Sequence, residues 1–196
     1  MADPKFAFDF MLRWEGGKSG DKRDLAAKNL PAHLNGIHTN MGVTWGTYQT
    51  VCERVLGMKP TPSHFLNLSK TEVYEIFKQT FWNEVKGDLW PQAIANSVVD
   101  FKYNAGKYAI IRLQKAINRF KPIKIAEDGI IGSQTTDAIL SQDQYTRRLH
   151  DTYIIERIAY YQTVCDKRKG GKVNPVYLLG LNNRVIDLHN YNQRFL

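Results

Sequence analysis

The sequence predicts a mainly α fold, and three observations carry that prediction. Alternation of apolar and polar residues with a period of two is nearly absent outside an early glycine-bearing loop. Apolar residues recur instead at helical spacing through successive stretches of the 196-residue chain. Most of those stretches are bracketed by recognisable start and stop residues. There is no internal repeat, no low-complexity tract and no linker long enough to separate independent domains.

Phe6 to Trp14 is the first helix, and Gly16-Gly17 stops it. The polar, glycine-containing stretch over residues 16–43 reads as an irregular loop or small hairpin region. Thr44 is the N-cap of a helix running through Leu56, and Gly57 ends it. Ser69-Lys70-Thr71-Glu72 has the capping-box spacing and opens a helix carrying Val73, Ile76, Phe77 and Phe81 on one face. Pro91 occupies a natural N1 position for a helix reaching Ala105, which Gly106 closes. Tyr108 to Arg119 is the next helix, Asp128-Gly129 a turn, and Gln134 to Leu140 a short helix. Tyr145 to Lys167 is the longest, with Leu149, Tyr153, Ile154, Ile158 and Tyr161 on one stripe and Gly170-Gly171 as its stop. Pro175 to Leu181 and Asn183 to Asn192 complete the chain as one short and one longer helix.

A hydrophobic content of 43% with 12% aromatics excludes a disordered chain. The net charge of +8 points to a polyanionic partner without choosing among nucleic acid, anionic cell envelope and acidic lipid. Basic runs such as Lys167-Arg168-Lys169 are short and read as solvated helix faces. Two cysteines, Cys52 and Cys165, form neither a disulfide scaffold nor a metal motif, and buried free thiols are expected. The N-terminus lacks the apolar run of a signal peptide, and no stretch has the length of a membrane span. A product made in the cytoplasm and acting in the periplasm or cell wall would then need a holin or a secretion apparatus to reach its target.

The chemistry centres on Trp14-Glu15-Gly16-Gly17. Glu15 ends an amphipathic helix behind Phe10, Met11 and Trp14, and a carboxyl partly withdrawn from water keeps its proton to higher pH. Glycoside hydrolysis needs such a donor, because the leaving sugar oxygen is too basic to depart unprotonated. The competing reading of Glu15 is a solvated helix-end residue. Asp21 and Asp24 follow in the loop, and either can serve as a second carboxylate. Their competing reading is loop solvation beside Lys22 and Arg23. His33 and His38 lie five apart, which is no recognised metal spacing, and no metal or organic cofactor is expected. Trp14, Trp45, Trp82, Trp90 and Tyr103 offer faces for sugar stacking, although tryptophans at helical spacing more often fill the core.

Two ordered groups of residues carry a resemblance. The first is Glu15-Gly16-Gly17, the acidic loop with Asp21 and Asp24, and Thr39-Asn40-Met41-Gly42-Val43-Thr44. The second is Asp100-Phe101-Lys102-Tyr103-Asn104-Ala105-Gly106, Leu113-Gln114-Lys115-Ala116 and Asp128-Gly129-Ile130-Ile131-Gly132-Ser133-Gln134-Thr135. Together they resemble the N-acetylmuramidases of glycoside hydrolase family 108, which include phage-type endolysins and bacterial secretion activators, with the predicted peptidoglycan-binding half that accompanies them. The resemblance implies a lysozyme-like fold of two helical lobes around a cleft, with residues 1–90 as the catalytic lobe and 91–196 as the second, packed as one globular unit. It implies hydrolysis of the bond between N-acetylmuramic acid and N-acetylglucosamine in peptidoglycan, with no nucleic-acid partner. Glu15 becomes the general acid, Asp24 and Thr39 fill the second and third catalytic places, and Asp21, His38 and Asn104 are the candidate substrate-binding residues. The chain departs from the family pattern in two ways. Leu25 to Leu34 are inserted after Asp24, and Ile37 replaces a glycine, which leaves Asp21 and Asp24 as alternatives. The rival classes are a non-catalytic peptidoglycan-binding protein and a basic helical nucleic-acid-binding protein.

Overall fold

The computed structural model describes residues 1–21, 30–141 and 145–196. Its described residues form nine α-helices and one three-stranded antiparallel sheet, as expected for a mainly α chain. The backbone divides into two compact units: an N-terminal unit of Phe8–Glu84, and a C-terminal unit of Val85–Leu196 joined by Met1–Ala7.

In the N-terminal unit, helix α1 (Pro4–Trp14) buries Phe8, Phe10 and Met11. Strands β1 (Lys18–Ser19), β2 (Thr39–Asn40) and β3 (Val43–Thr44) follow, with Ser19 opposite Thr39 and Thr39 opposite Thr44. Helix α2 (Trp45–Leu56) starts and stops where its caps dictate: the Thr44 hydroxyl accepts from the Thr47 amide, and Gly57 takes the left-handed conformation at φ 70°. Helix α3 (Pro62–Leu66) was not expected; five residues are too few for periodicity to show, but Thr61 caps it and Pro62 sets its first turn. The capping box of α4 (Lys70–Phe77) forms both of its reciprocal bonds, and the helix runs on into a π-helical turn over Lys78–Trp82.

Trp45, Tyr48 and Phe65 pack as an aromatic core, with Phe65 edge-on to Trp45 at 5.3 Å. A polar chain crosses α2, α3 and α4. Tyr48 Oη lies 2.7 Å from His64 Nδ1, and His64 Nε2 lies 2.8 Å from Glu72 Oε1. Burial pushes the Tyr48 hydroxyl up to about 12, so it stays protonated and donates to His64, whose Nε2–H then donates to Glu72. The Ser69 amide and hydroxyl, with a further pull from His64, hold the Glu72 carboxyl below its ordinary range despite some burial.

The C-terminal unit is built around helix α5 (Gln92–Ala105), of which Ala93 through Phe101 is buried on every side. Helices α6 (Tyr108–Asn118), α8 (Thr146–Cys165) and α9 (Leu178–Asn192) pack on it, and α7 (Ser133–Leu140) packs on α6. A helix enclosed this way must pair every polar side chain it carries. Asn96 donates to Asn192 Oδ1 at 2.8 Å, and Asn192 in turn donates to Ser97 Oγ at 3.0 Å. Asp100 is gripped by two arginines: Arg184 Nη2 at 2.6 Å and Arg157 Nη2 at 2.7 Å. Burial alone would raise the Asp100 carboxyl, but the two guanidinium charges overcome it and hold the group ionised.

Three sequence expectations shift here. Pro91 is the residue before the first helical turn of α5, with extended ψ of 139°, and not its first helical residue. The two C-terminal helices are one: a 3₁₀ turn at Pro175–Tyr177 runs directly into α9, because Leu181 and Asn182 carry no breaking geometry. Helix α8 stops at Cys165, and Gly170 closes a separate 3₁₀ turn over Lys167–Lys169. The α8 stripe also buries charge that periodicity does not reveal, Glu156 and Arg157, while Ile158 is half-buried. Arg112 and Arg119 both hold Glu156. Trp45, Trp82 and Trp90 are core residues, whereas Trp14 is 37% exposed. Cys52 and Cys165 are buried free thiols. Among the described residues no helix is long and apolar enough to cross a membrane.

Two stability predictions follow from these pairings. Asp100→Asn leaves two buried arginines without their counter-charge and should cost about 3–5 kcal/mol by denaturant unfolding. An unchanged unfolding midpoint would show that the pairing contributes nothing. Glu72 has a depressed carboxyl, so its contribution is present above the unfolded carboxylate value of about 4.3 and is lost as pH falls through the folded value. The melting-temperature gap between the wild type and Glu72→Gln should therefore be widest near neutrality and narrow in acid; a constant gap contradicts the linkage.

Candidate active site

Glu15 sits at the C-terminal end of α1, its amide bonded to the Met11 carbonyl at 3.0 Å, and it is half-buried. The chain then reverses at Gly17, whose φ of 94° only glycine adopts without strain. The Gly17 amide returns to the Glu15 carbonyl at 2.8 Å, and the Gly17 carbonyl accepts from the Met41 amide at 2.9 Å. The backbone beside the acid is thus pinned to the tip of the β2–β3 hairpin.

That hairpin is short and strained. Its two turn residues, Met41 and Gly42, both have positive φ, at 45° and 81°, as a two-residue turn with the right twist requires. Met41 pays the side-chain clash that glycine avoids. Asn40 is 4% exposed and donates to the Phe65 carbonyl at 2.8 Å, which ties the hairpin to α3. Gly20 permits the approach of the next loop, because a Cβ there would lie 3.2 Å from the Gly36 carbonyl oxygen.

The hairpin brings three of the sequence-expected residues together. His38 is 1% exposed, with Nδ1 at 2.7 Å from Thr39 Oγ1 and Nε2 at 3.2 Å from the Asp21 carbonyl oxygen. A carbonyl only accepts, so Nε2 carries the ring proton of neutral His38 and Nδ1 accepts from the Thr39 hydroxyl. Both ring nitrogens are therefore engaged within the protein. Asp24 lies outside the described residues. Asn104 belongs to the other unit, at the end of α5, and donates to the Asp100 carbonyl at 2.8 Å.

The second motif group forms a structural knot. Gln114 is 1% exposed; its amide donates to Asp128 Oδ1 at 2.8 Å and the Ile130 carbonyl at 3.0 Å, and accepts from the Gly129 amide at 2.9 Å. Gly129 needs its φ of 79°, and a side chain there would meet Ile111 and the Lys107 carbonyl. His150, Asp151 and His189 bring three ligand-type atoms within 4.8 Å of one another. Asn192 and Gln193 present amide nitrogens to Nε2 of the two rings, at 3.3 and 3.1 Å. His150 Nδ1 lies 3.3 Å from Asp151 Oδ1 and His189 Nδ1 lies 3.6 Å from the same oxygen, so only the His150 contact is within hydrogen-bonding distance. Sequence reading missed this cluster and the Tyr48–His64–Glu72 chain, since their members are scattered and share no motif.

An acidic residue thus stands at a helix end, backed by glycines and followed by a small antiparallel sheet in a mainly helical chain. The family model described as glycosyl hydrolase 108 matches residues 8–106, and that described as predicted peptidoglycan domain matches residues 108–196. The chain belongs to the glycosyl hydrolase 108 family, and the ordered pair makes it a glycosidase of the peptidoglycan-acting kind. Its fold is similar to that of a Brucella abortus protein solved as SagA, with a TM-score of 0.65, 23% identity and 95% of each chain covered. No curated relative matches.

Gly42→Ala forces a Cβ into the left-handed turn residue and should cost about 1 kcal/mol or more of stability. Thermal unfolding checks this, and a variant as stable as wild type would mean that the hairpin tip tolerates strain freely.

Proposed function

We propose that the chain is a muramidase, cleaving the bond between N-acetylmuramic acid and N-acetylglucosamine in peptidoglycan, in cell lysis or secretion-linked wall remodelling. The observation that carries this reading is the bond from the Met41 amide to the Gly17 carbonyl, which pins the backbone two residues after Glu15 to the hairpin bearing Thr39. In this reading Glu15 gives its proton to the leaving sugar oxygen, and a water supplies the hydroxyl that closes the bond at the anomeric carbon. Asp24 is the second carboxylate, stabilising the developing positive charge or taking the water's proton, with Asp21 as the alternative. Residues 1–90 carry the chemistry, and 91–196 favour retention on the wall. The +8 charge suits an envelope rich in phosphate and carboxylate. Action there, by way of a holin or a secretion apparatus, belongs to the same proposal.

Purified peptidoglycan tests the reading directly. Wild-type protein should release fragments with reducing N-acetylmuramic acid ends, identified by mass analysis. Glu15→Gln should fold normally and lose about 10²- to 10⁴-fold in rate, the usual contribution of a general acid. Asp24→Asn should cost more than Asp21→Asn. Reducing N-acetylglucosamine ends, or an active Glu15→Gln protein, would overturn the assignment.

A further inference from the structure

We propose that His38 is a positioning residue that fixes the polarity of the Thr39 hydroxyl, so that Thr39 faces the site as a hydrogen-bond acceptor. The proposal rests on the muramidase reading for its consequence, but the hydroxyl's polarity stands on the geometry alone.

The argument begins at a backbone carbonyl. Asp21 O can only accept, so the 3.2 Å contact places a proton on His38 Nε2. Neutral imidazole has one ring proton, and Nδ1 is left with a lone pair. Thr39 Oγ1 lies 2.7 Å from that lone pair, so the hydroxyl proton is committed to His38. What Thr39 has left is oxygen lone pairs. A group that meets it from outside, whether water or a sugar hydroxyl or acetamido N–H, must therefore bring the proton. A water bonded in this way has one hydrogen directed at Thr39, which confines the orientations its own lone pairs can take.

Burial makes the arrangement exclusive. His38 is 1% exposed, so no bulk water competes for Nδ1, and the ring cannot itself serve as a substrate contact. Its backbone is held as tightly as its ring: the His38 amide donates to the Ser19 carbonyl at 3.0 Å, and its carbonyl accepts from the Trp45 amide at 2.8 Å. One histidine thus links β1, the start of α2, the Asp21 segment and the Thr39 hydroxyl. The adjacent position in the chain makes the Thr39 contact local, while the Asp21 contact that sets the tautomer spans seventeen residues.

Two measurements test the proposal. The first is independent of activity: two-bond ¹H–¹⁵N correlation spectra of the histidine rings. The expected result is the Nε2–H tautomer for His38, with its Nδ1 resonance moving in Thr39→Val as the donated bond is lost. An Nδ1–H tautomer, or an Nδ1 resonance unmoved in Thr39→Val, overturns the proposal whatever the enzyme does. The second is a double-variant cycle on wall hydrolysis. His38→Leu should lower kcat about tenfold or more with KM unchanged, and His38→Asn, whose side-chain oxygen can accept from Thr39, should recover most of the loss. In the Thr39→Val background His38→Leu should cost little further, because its route of action is already gone. A stable His38→Leu with full kcat, or losses that multiply in the double variant, overturns the proposal. Failure of Glu15→Gln to lose activity bears instead on the muramidase reading and leaves the tautomer result standing.

Discussion

One carboxylate organises the C-terminal unit. Asp100 sits on a helix enclosed on every side, where an unpaired charge is too costly to bury. Its two oxygens are taken by Arg157 from α8 and Arg184 from α9. Each guanidinium can reach it only if its helix crosses α5 at one place and rotation, so the triad fixes register among three helices that apolar packing alone would hold loosely. The aromatic lining follows from it. Phe101, next to Asp100, meets Tyr153, Tyr160 and Tyr161, and the Arg157 guanidinium lies 4.9 Å from its ring centre.

The N-terminal unit uses smaller devices to a similar end. Glu72 closes the capping box of its own helix and holds His64, which holds Tyr48, so a local cap becomes a clamp across α2, α3 and α4. The hairpin is fixed by the Asn40 amide below and by the Gly17 carbonyl beside it. A site built on strands two residues long needs such support, since so few ladder bonds cannot hold a catalytic geometry by themselves.

The motif residues divide into two kinds once their neighbours are known. Gln114, Asp128, Gly129 and Thr135 bond to one another and to backbone, so their recurrence in the pattern has a sufficient cause in folding the loop before α7. Asn104 bonds to its own helix. Glu15 and Thr39 differ in that they lie on segments tied together by the Gly17–Met41 bond, where the surrounding glycines serve close approach and chain reversal.

The sequence by itself determined the helix ends that carry local caps and stops, because such residues act within a few positions of themselves: Thr44, Gly57, the Ser69–Glu72 box and Gly106 mark ends that the structure has. It also determined the chemical candidates, since an acid before two glycines and the Thr39–Thr44 segment are local patterns. Only the tertiary structure decided what depends on distant partners. Pro175 and Gly180 lie beside and within one continuous helical run because packing outweighs weak local propensity. Arg157 and Glu156 are buried on α8 because their counter-charges arrive from other helices. The direction of the Thr39 hydroxyl is decided through His38 by a carbonyl seventeen residues before that histidine, and no spacing rule reaches that far.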